Sequence, residues 1–299
     1  DTNNVVIGHR AGNALTDSDN VIIGSDAARV GTTHTGNVVI GKTAAGNGTF
    51  TADNNVIIGK ESSLSITTGS SNTIMGADSA KTITEGHSSV IIGQNAGAAL
   101  TTGHSVVFIG QAAGDGHDTE HDNLAIGRAA LGGAVAGGEF NVAVGNDTLQ
   151  TLTSGDSNSM LGYQAGYSVT DGYSNTFIGS GAGAGVTGGF SNVLIGANAA
   201  HSNTTNLTTG DQNTLVGRNI QPTSTNTNTA NGLGYFLTCE GGYTTVGQSG
   251  SDIRAAHGTA TWATVSDERF KKNIETSDAG LAVINDLRPV TYNWKTKGE

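Results

Sequence analysis

The sequence predicts an all-β fold, a parallel β-solenoid or β-roll built from coils of about 17 residues. The first observation is a short phrase, Asn-x-(Val/Ile)-Ile-Gly, which returns in related forms from Asn4–Gly8 to Asn213–Gly217. The second is the even spacing of its closing glycines, at residues 8, 24, 41, 59, 76, 93, 110, 127, 145, 162, 179, 196 and 217. A period this regular is typical of coils stacked in a row.

The composition agrees with a stacked β architecture. The chain has 299 residues with 46 Gly and 2 Pro, and its charged fraction of 13% is well below the average of roughly 25%. Low charge and many small polar residues also occur in disordered chains. Disordered chains, however, lack clusters of β-branched residues at fixed intervals, so this periodicity favours a folded repeat.

Charge, cysteine count and hydropathy exclude several classes of protein. The net charge is −11 and no long run of Lys or Arg occurs, so we expect no nucleic-acid partner. The single cysteine, Cys239, excludes an intrachain disulfide framework and predicts a buried small apolar residue. No apolar stretch approaches the length of a membrane span, so no membrane insertion is expected. No signal peptide is present, and the chain starts at Asp1 without Met, which indicates a fragment whose targeting the sequence does not show.

The residues before each closing glycine form the strand. With that glycine as position 0, positions −1 and −2 are apolar in all thirteen repeats, and position −3 alternates between Val or Leu and Thr or Ser. Side chains alternate across a strand, so positions −1 and −3 share one face and position −2 takes the other. We predict that position −1 fills the coil and that position −2 presents a second apolar face to a partner surface along the rod.

The rest of the coil is also patterned. Small residues follow the glycine by three or four positions, and then an apolar residue and Thr lead into another Gly, as in Leu100–Gly103 and Val169–Gly172. This predicts two short strands and two turns per coil, with glycines supplying positive φ at the corners. The recurring Asn at position −4 fits either a ladder of stacked amides or a turn entry. Twelve steps give a rod about 60 Å long.

The repeat ends at Gly217, which divides the chain into three predicted domains. Residues 1–217 form the solenoid shaft, and residues 218–265 form an irregular β neck or cap with weak repeat echoes at 231–234 and 243–247. The neck is rich in aromatics, with Tyr235, Phe236, Tyr243 and Trp262. Residues 266–299 form the beginning of a separate, truncated α+β domain, with a helix predicted around Leu281–Leu287 and a stop at Pro289.

The start of this last segment carries a family resemblance. The run SDERFKKNI at 266–274, the helix, and then Arg288-Pro289-Val290 and Tyr292-Asn293-Trp294 resemble the opening of the intramolecular chaperone domain of endosialidases, phage tailspikes and tail fibres. The resemblance implies a domain that trimerises the chains, lets the β-fibre fold, and then cuts itself off.

The resemblance also implies a catalytic pair. It assigns Ser266 as the nucleophile and Lys271 as its base, with cleavage at the Val265–Ser266 bond. The chemistry is coherent, because a serine hydroxyl needs a base and a lysine can serve when burial lowers its pKa. The residues taken alone, without the resemblance, favour a solvated polar turn before a helix.

The repeats resemble a second family, the trimeric β-roll heads of bacterial adhesins, whose repeat is somewhat shorter. This resemblance implies three chains packed about one axis. The apolar face assigned to position −2 favours the same homotrimer.

Other chemistry finds little support in the sequence. The densest group of ligand-type residues is Gly116–Asp122 (GHDTEHD), which fits a metal site but is more typical of a solvated loop. The calcium-binding nonapeptide of β-rolls is absent, and no Ser-His-Asp set or carboxylate pair can be assigned. We therefore expect no metal, no cofactor and no substrate-directed activity, leaving only single-turnover autoproteolysis at Ser266.

These features predict a structural and receptor-binding trimeric fibre of a bacteriophage tail. Its partners would be two further copies of the chain, a host surface glycan or receptor, and other phage tail proteins, and its location would be the virion tail, outside the cell. The alternatives are a glycan-depolymerising tailspike and a bacterial trimeric surface adhesin.

Overall fold

The computed structural model describes residues 3–32, 34–134, 136–201, 205–259 and 263–264. The described residues contain strands, turns and bends without any helix, which confirms the all-β class and the parallel solenoid. The helix predicted around Leu281–Leu287 lies outside the described residues.

The described residues form strands β1 to β19. Their bounds are β1 Val5–Ile7, β2 Val21–Ile23, β3 Val38–Ile40, β4 Val56–Ile58, β5 Thr73–Met75, β6 Val90–Ile92, β7 Val107–Ile109, β8 Leu124–Ile126, β9 Val142–Val144, β10 Ser159–Leu161, β11 Thr176–Ile178, β12 Val193–Ile195, β13 Thr214–Val216, β14 Gln221–Pro222, β15 Asn231–Tyr235, β16 Thr238–Cys239, β17 Tyr243–Gln248, β18 Ser251–Ala256 and β19 Ala263–Thr264.

Strands β1 to β13 stack in order as one parallel sheet with one strand per coil. Each strand pairs with the next in register, so that Met160 of β10 lies beside Phe177 of β11. The two weak echoes in the neck are strands of the same sheet, because β15 is parallel to β13 and β17 is parallel to β15. Strands β18 and β19 then continue the sheet antiparallel. The domain boundaries at 217 and 265 stay predictions.

The two faces of the strands are the reverse of the prediction. Residues at position −2, such as Ile57 and Phe108, are fully buried inside the coil. Residues at positions −1 and −3, such as Leu161, are half-buried or exposed and face outward. The side-chain alternation holds, but periodicity alone cannot say which of two apolar faces points inward.

The second strand predicted in each coil is also wrong, because turns and bends replace it throughout the repeats. The cause lies in the backbone. In Leu100–Gly103, where a second strand is predicted, the Leu100 N–H donates back to the Gly97 carbonyl at 3.0 Å, and the N–H groups of Thr101 and Gly103 both donate to the Asp118 carbonyl, so no ladder forms. Earlier in most coils the residues at positions +2 and +4 have positive φ, as at Asp147 (57°) and Leu149 (49°), and the chain turns there. The predicted use of glycine at the corners is therefore only part of the account, since non-glycine residues adopt positive φ as well.

The glycine at position 0 is required by both backbone conformation and space. Gly162 has φ +137°, and a Cβ there would lie 2.6 Å from the carbonyl oxygen of Gly179 in the next coil. That φ lies in a region open almost only to glycine. The repeating glycine therefore lets the backbones of successive coils approach closely at the strand end.

The interior is filled by the side chains at positions −2 and +4, which compensate in size. Phe108 and Phe177 lie at position −2, and their coils carry Gly114 and Gly183 at position +4, where an added Cβ would come within 2.6 Å and 2.4 Å of the respective ring. Two other coils invert the arrangement, with Ala at −2 and Leu at +4, in the buried sets Ala125 with Leu131 and Ala143 with Leu149. Large and small residues thus alternate to keep a narrow coil densely packed.

The asparagines at position −4 form a buried ladder, which decides between the two predicted roles. Asn158 donates from Nδ2 to Asn141 Oδ1 at 3.0 Å and to the Gly172 carbonyl at 2.8 Å. Its own Oδ1 accepts from the backbone N–H and the Nδ2 of Asn175, both at 3.1 Å. The turn role belongs to the preceding residue, since Ser157 has positive φ. The ladder is interrupted only at Ser89 and Val106.

Candidate functional site

The residues of the predicted autocleavage site, Ser266 and Lys271, lie outside the described residues, as does the Val265–Ser266 bond. Their roles stay predictions. Trp262 of the neck also falls outside the described part of the chain.

The first candidate site among the described residues is the outward apolar face, defined as the side chains at positions −1 and −3 of β1 to β13. Position −1 is apolar in every coil, and it includes Ile58, Ile109 and Ile126. Several members of the face are well exposed, with Leu161 at 50% and Ile178 at 38%. Monomeric proteins rarely expose a continuous apolar strip of this extent, so the face is a candidate assembly surface.

The second candidate is a ridge along one corner of the coils, defined as the side chains at position −6 in eight consecutive coils. Its members are His87, His104, His121, Glu139, Asp156, Tyr173, Phe190 and Asp211. Because the coils stack in register, equal positions meet, and the ridge extends about 34 Å.

Three imidazole rings stack at one end of the ridge. The ring centroids of His87 and His104 are 4.6 Å apart, those of His104 and His121 are 4.9 Å apart, and both interplanar angles are 4°. His121 ends the stack between two carboxylates, with Nδ1 at 2.9 Å from Asp122 Oδ2 and Nε2 at 3.0 Å from Glu139 Oε1. Two carboxylates therefore flank the His121 ring, whereas Nδ1 of His87 and Nδ1 of His104 each lie 3.3 Å from a serine hydroxyl.

Two aromatic rings stack at the other end of the ridge. The ring centroids of Tyr173 and Phe190 are 5.0 Å apart with an interplanar angle of 4°, and Tyr173 is 47% exposed. Sequence reasoning missed the ridge, although comparing position −6 across the repeats shows the rings in consecutive order.

The group at Gly116–Asp122 does not converge on a metal. His117 is buried in the core against Phe108, Glu120 accepts backbone N–H bonds from Asp118 and Gly137, and His121 belongs to the ridge. Within the described ranges no group of three or more His, Cys, Asp or Glu side chains could hold a metal ion.

Burial shifts the pKa of several groups, including His34, and the shifts of His117 and Cys239 are the largest. Desolvation lowers the pKa of His117 to about 4, and neither ring nitrogen has a hydrogen-bond partner. Desolvation likewise raises the pKa of the Cys239 thiol to about 12, so this cysteine behaves as the buried apolar residue that the sequence predicts. Neither group points to catalysis, because both are sealed inside the coil.

The neck offers a small aromatic surface. The rings of Tyr235 and Phe236 meet edge to face with centroids 4.6 Å apart, and both residues are about half exposed. The guanidinium of Arg218 lies 5.8 Å from the centre of the Tyr235 ring. These two aromatic residues of the neck are therefore accessible on the surface.

Comparison with known families supports the reading of the C-terminal segment. Residues 266–299 match the family model described as chaperone of endosialidase, which confirms the predicted resemblance. Neither a curated protein nor a solved structure matches the chain. A parallel β-solenoid followed by this segment fits a phage tail fibre with a C-terminal chaperone domain. No helix in the described part of the chain is long and apolar enough to cross a membrane.

Proposed function

We propose that this chain is the shaft of a homotrimeric phage tail fibre that attaches the virion to a host surface glycan or receptor. The segment at 266–299 carries the proposal, because its match to the chaperone of endosialidase, together with the β-solenoid before it, suggests a protein of the phage tail fibre or tailspike type. The proposal places the protein on the virion tail, outside the cell, in contact with other tail proteins.

The outward apolar face supports the trimer independently. It runs the length of the shaft, and a second and third copy repeat the same side chains at the same pitch of about 4.8 Å. An in-register copy therefore matches the face along its whole length, whereas an unrelated surface lacks that period. Three copies also present three equivalent binding sites, which raises avidity for a repeated surface polymer.

Maturation follows from the residues implied by the family resemblance. Ser266 Oγ would attack the Val265 carbonyl carbon while Lys271 takes the serine proton, and the acyl group would move from the Ser266 nitrogen, which is protonated as it leaves, to Oγ. Water would then hydrolyse this ester, leaving a carboxylate on Val265 and releasing the segment that begins at Ser266 with its hydroxyl restored. The shaft then remains as a trimer without its chaperone.

Denaturing gels of the full-length protein test the maturation step. We expect loss of the C-terminal fragment in the wild type, and no loss in Ser266→Ala or Lys271→Met. The matched controls are Ser277→Ala and the adjacent Lys272→Met, which should cut as the wild type does. An uncut wild-type chain, or cleavage that survives Ser266→Ala, contradicts this step.

Adsorption to bacterial cells tests attachment. We expect the purified trimer to bind cells of a susceptible strain and to compete with phage particles for them. Release of reducing sugars from the cell-surface polysaccharide would favour the depolymerising tailspike instead. Failure to bind any cell that the phage infects would contradict the receptor role.

A further inference from the structure

The ridge carries an aromatic pair, Tyr173 (47% exposed) and the half-buried Phe190, and in the described part of the chain no further ring stacks on the outer face of either. Tyr173 and Phe190 stack on each other, so their inner faces are covered. The ridge members on either side, Asp156 and Asp211, are much shorter than an aromatic side chain. The outer part of the Tyr173 ring therefore projects beyond Asp156 on the side away from Phe190. The outer part of the Phe190 ring likewise projects beyond Asp211 on the side away from Tyr173.

The two aspartates are held in place by the backbone. Asp156 Oδ1 accepts the N–H of Glu139 at 2.9 Å, so this carboxylate leans away from Tyr173. Asp211 Oδ1 accepts the N–H of Phe190 at 3.0 Å and lies at the foot of that ring. In the described residues neither Oδ2 atom has a hydrogen bond, so each is left for a donor from outside.

An aromatic ring beside a carboxylate suits a sugar unit, which has both apolar C–H groups and hydroxyl donors. The C–H groups of a pyranose ring pack on the negative face of an aromatic ring, and its hydroxyls donate to a carboxylate in charge-assisted hydrogen bonds. The carboxylates of Glu139, Asp156 and Asp211 repel an acidic polymer, and the chain's net charge of −11 acts in the same direction. The chemistry therefore selects an uncharged glycan.

We propose that Tyr173 and Phe190, with Asp156 and Asp211, bind an uncharged surface polysaccharide lying along the rod. This inference rests on the proposed receptor function and names its site and ligand class. Asp156 and Asp211 are three coil steps apart, about 14 Å, so one sugar unit cannot occupy both open faces. An oligosaccharide that spans the pair should bind more tightly than a shorter one.

A printed array of bacterial surface polysaccharides, probed with the full-length trimer, tests the proposal. We expect binding to neutral polymers in preference to acidic ones, and tighter binding of fragments long enough to span the pair. Tyr173→Ala and Phe190→Ala should each weaken binding by roughly tenfold or more, as expected for aromatic anchors. Asp156→Asn should weaken it less. The matched control is Tyr163→Ala, which removes an equally exposed tyrosine from another corner (52% exposed).

Each alternative outcome has a distinct meaning. Glycan binding that survives in Tyr173→Ala and Phe190→Ala overturns the site and leaves the receptor function standing. Cell adsorption without binding to any neutral polymer overturns the ligand class. Light scattering must show that the variants remain trimers. If the variants lose both glycan binding and trimer formation, Tyr173 and Phe190 belong to the subunit interface and the proposal is overturned.

Discussion

At the scale of single residues, His117 is the clearest departure from the repeat. Position +7 carries Leu100 in the preceding coil and Val169 in a later one, both fully buried, and His117 takes the same interior place. Neither of its ring nitrogens is hydrogen-bonded. The core therefore keeps this imidazole neutral at a cost, because burial without a partner penalises any polar group and a charged one most.

We predict that His117 makes the shaft sensitive to acid. The pKa in the folded chain is lowered to about 4 from an ordinary value of 6.5, so between these values the unfolded chain binds a proton that the folded chain does not. Stability is therefore fully present above about pH 6.5 and falls as the pH drops towards 4, by about 2 kcal/mol between pH 7.5 and pH 5. Denaturant midpoints at the two pH values measure this slope.

His117→Leu should flatten the acid slope and raise stability at both pH values, because leucine restores the apolar residue of the neighbouring coils. The control is His87→Leu, which changes an exposed histidine on the ridge. Equal slopes in the wild type and His117→Leu would show that the acid sensitivity arises elsewhere.

At the scale of structural elements, the asparagine ladder binds one coil to the next. We predict that Asn158→Ala destabilises the shaft by about 2–3 kcal/mol, because it leaves the buried Gly172 carbonyl and the Asn175 N–H without their partner. Ser89→Ala, at the natural interruption of the ladder, should cost less, near 1 kcal/mol, because the lost hydroxyl accepts from one buried group, the Val106 N–H, at a long 3.3 Å and donates only to a part-buried carbonyl. Equal costs in a denaturant titration would argue against the ladder as a cooperative element.

The size compensation between positions −2 and +4 gives a second prediction for the coil. Ala125→Phe should overpack the interior and destabilise the chain by roughly 1–3 kcal/mol, and Leu131→Gly should leave a cavity and destabilise it by roughly 2–5 kcal/mol. The double variant reproduces the arrangement of Phe108 with Gly114, so it should be more stable than the sum of the single changes by about 1–2 kcal/mol. Pairing Ala125→Phe with Leu149→Gly, one coil further on, is the control. Additive single changes in the matched double variant would contradict the pairing.

The same compensation explains what the sequence could and could not predict. The repeat predicts the solenoid and its parallel register, because each depends on a repeated position. It also predicts the Asn ladder, as one of two roles for the Asn at position −4. The inward face was assigned wrongly, since positions −1 and −2 are both apolar. The sequence does contain a signal that identifies the inward face, because residue sizes at positions −2 and +4 compensate. A large Phe108 occurs with Gly114 and a small Ala125 with Leu131, so the two positions fill the same interior.

The errors about turns and the ridge have a different cause. In the predicted second strand, Thr101 and Gly103 donate to the same Asp118 carbonyl of the next coil instead of forming a ladder, so the contact between coils overrides the local β preference. The stacked rings of Tyr173 and Phe190 lie one coil apart in sequence, and they meet only when the chain is laid out coil by coil.

At the scale of the whole molecule, the outward apolar face predicts the oligomeric state. Replacing Ile109 and Ile126 together by lysine puts two charges into the face without touching the coil interior, since both side chains point outward. We expect the wild type to sediment as a trimer and the double variant as a monomer with its strands intact, because a buried unpaired charge costs several kcal/mol. Gln94→Lys with Gln111→Lys adds the same charge at an exposed corner of neighbouring coils and should remain trimeric. A monomeric wild type, or a double isoleucine variant that remains a trimer, would show that the outward apolar face is not the assembly surface.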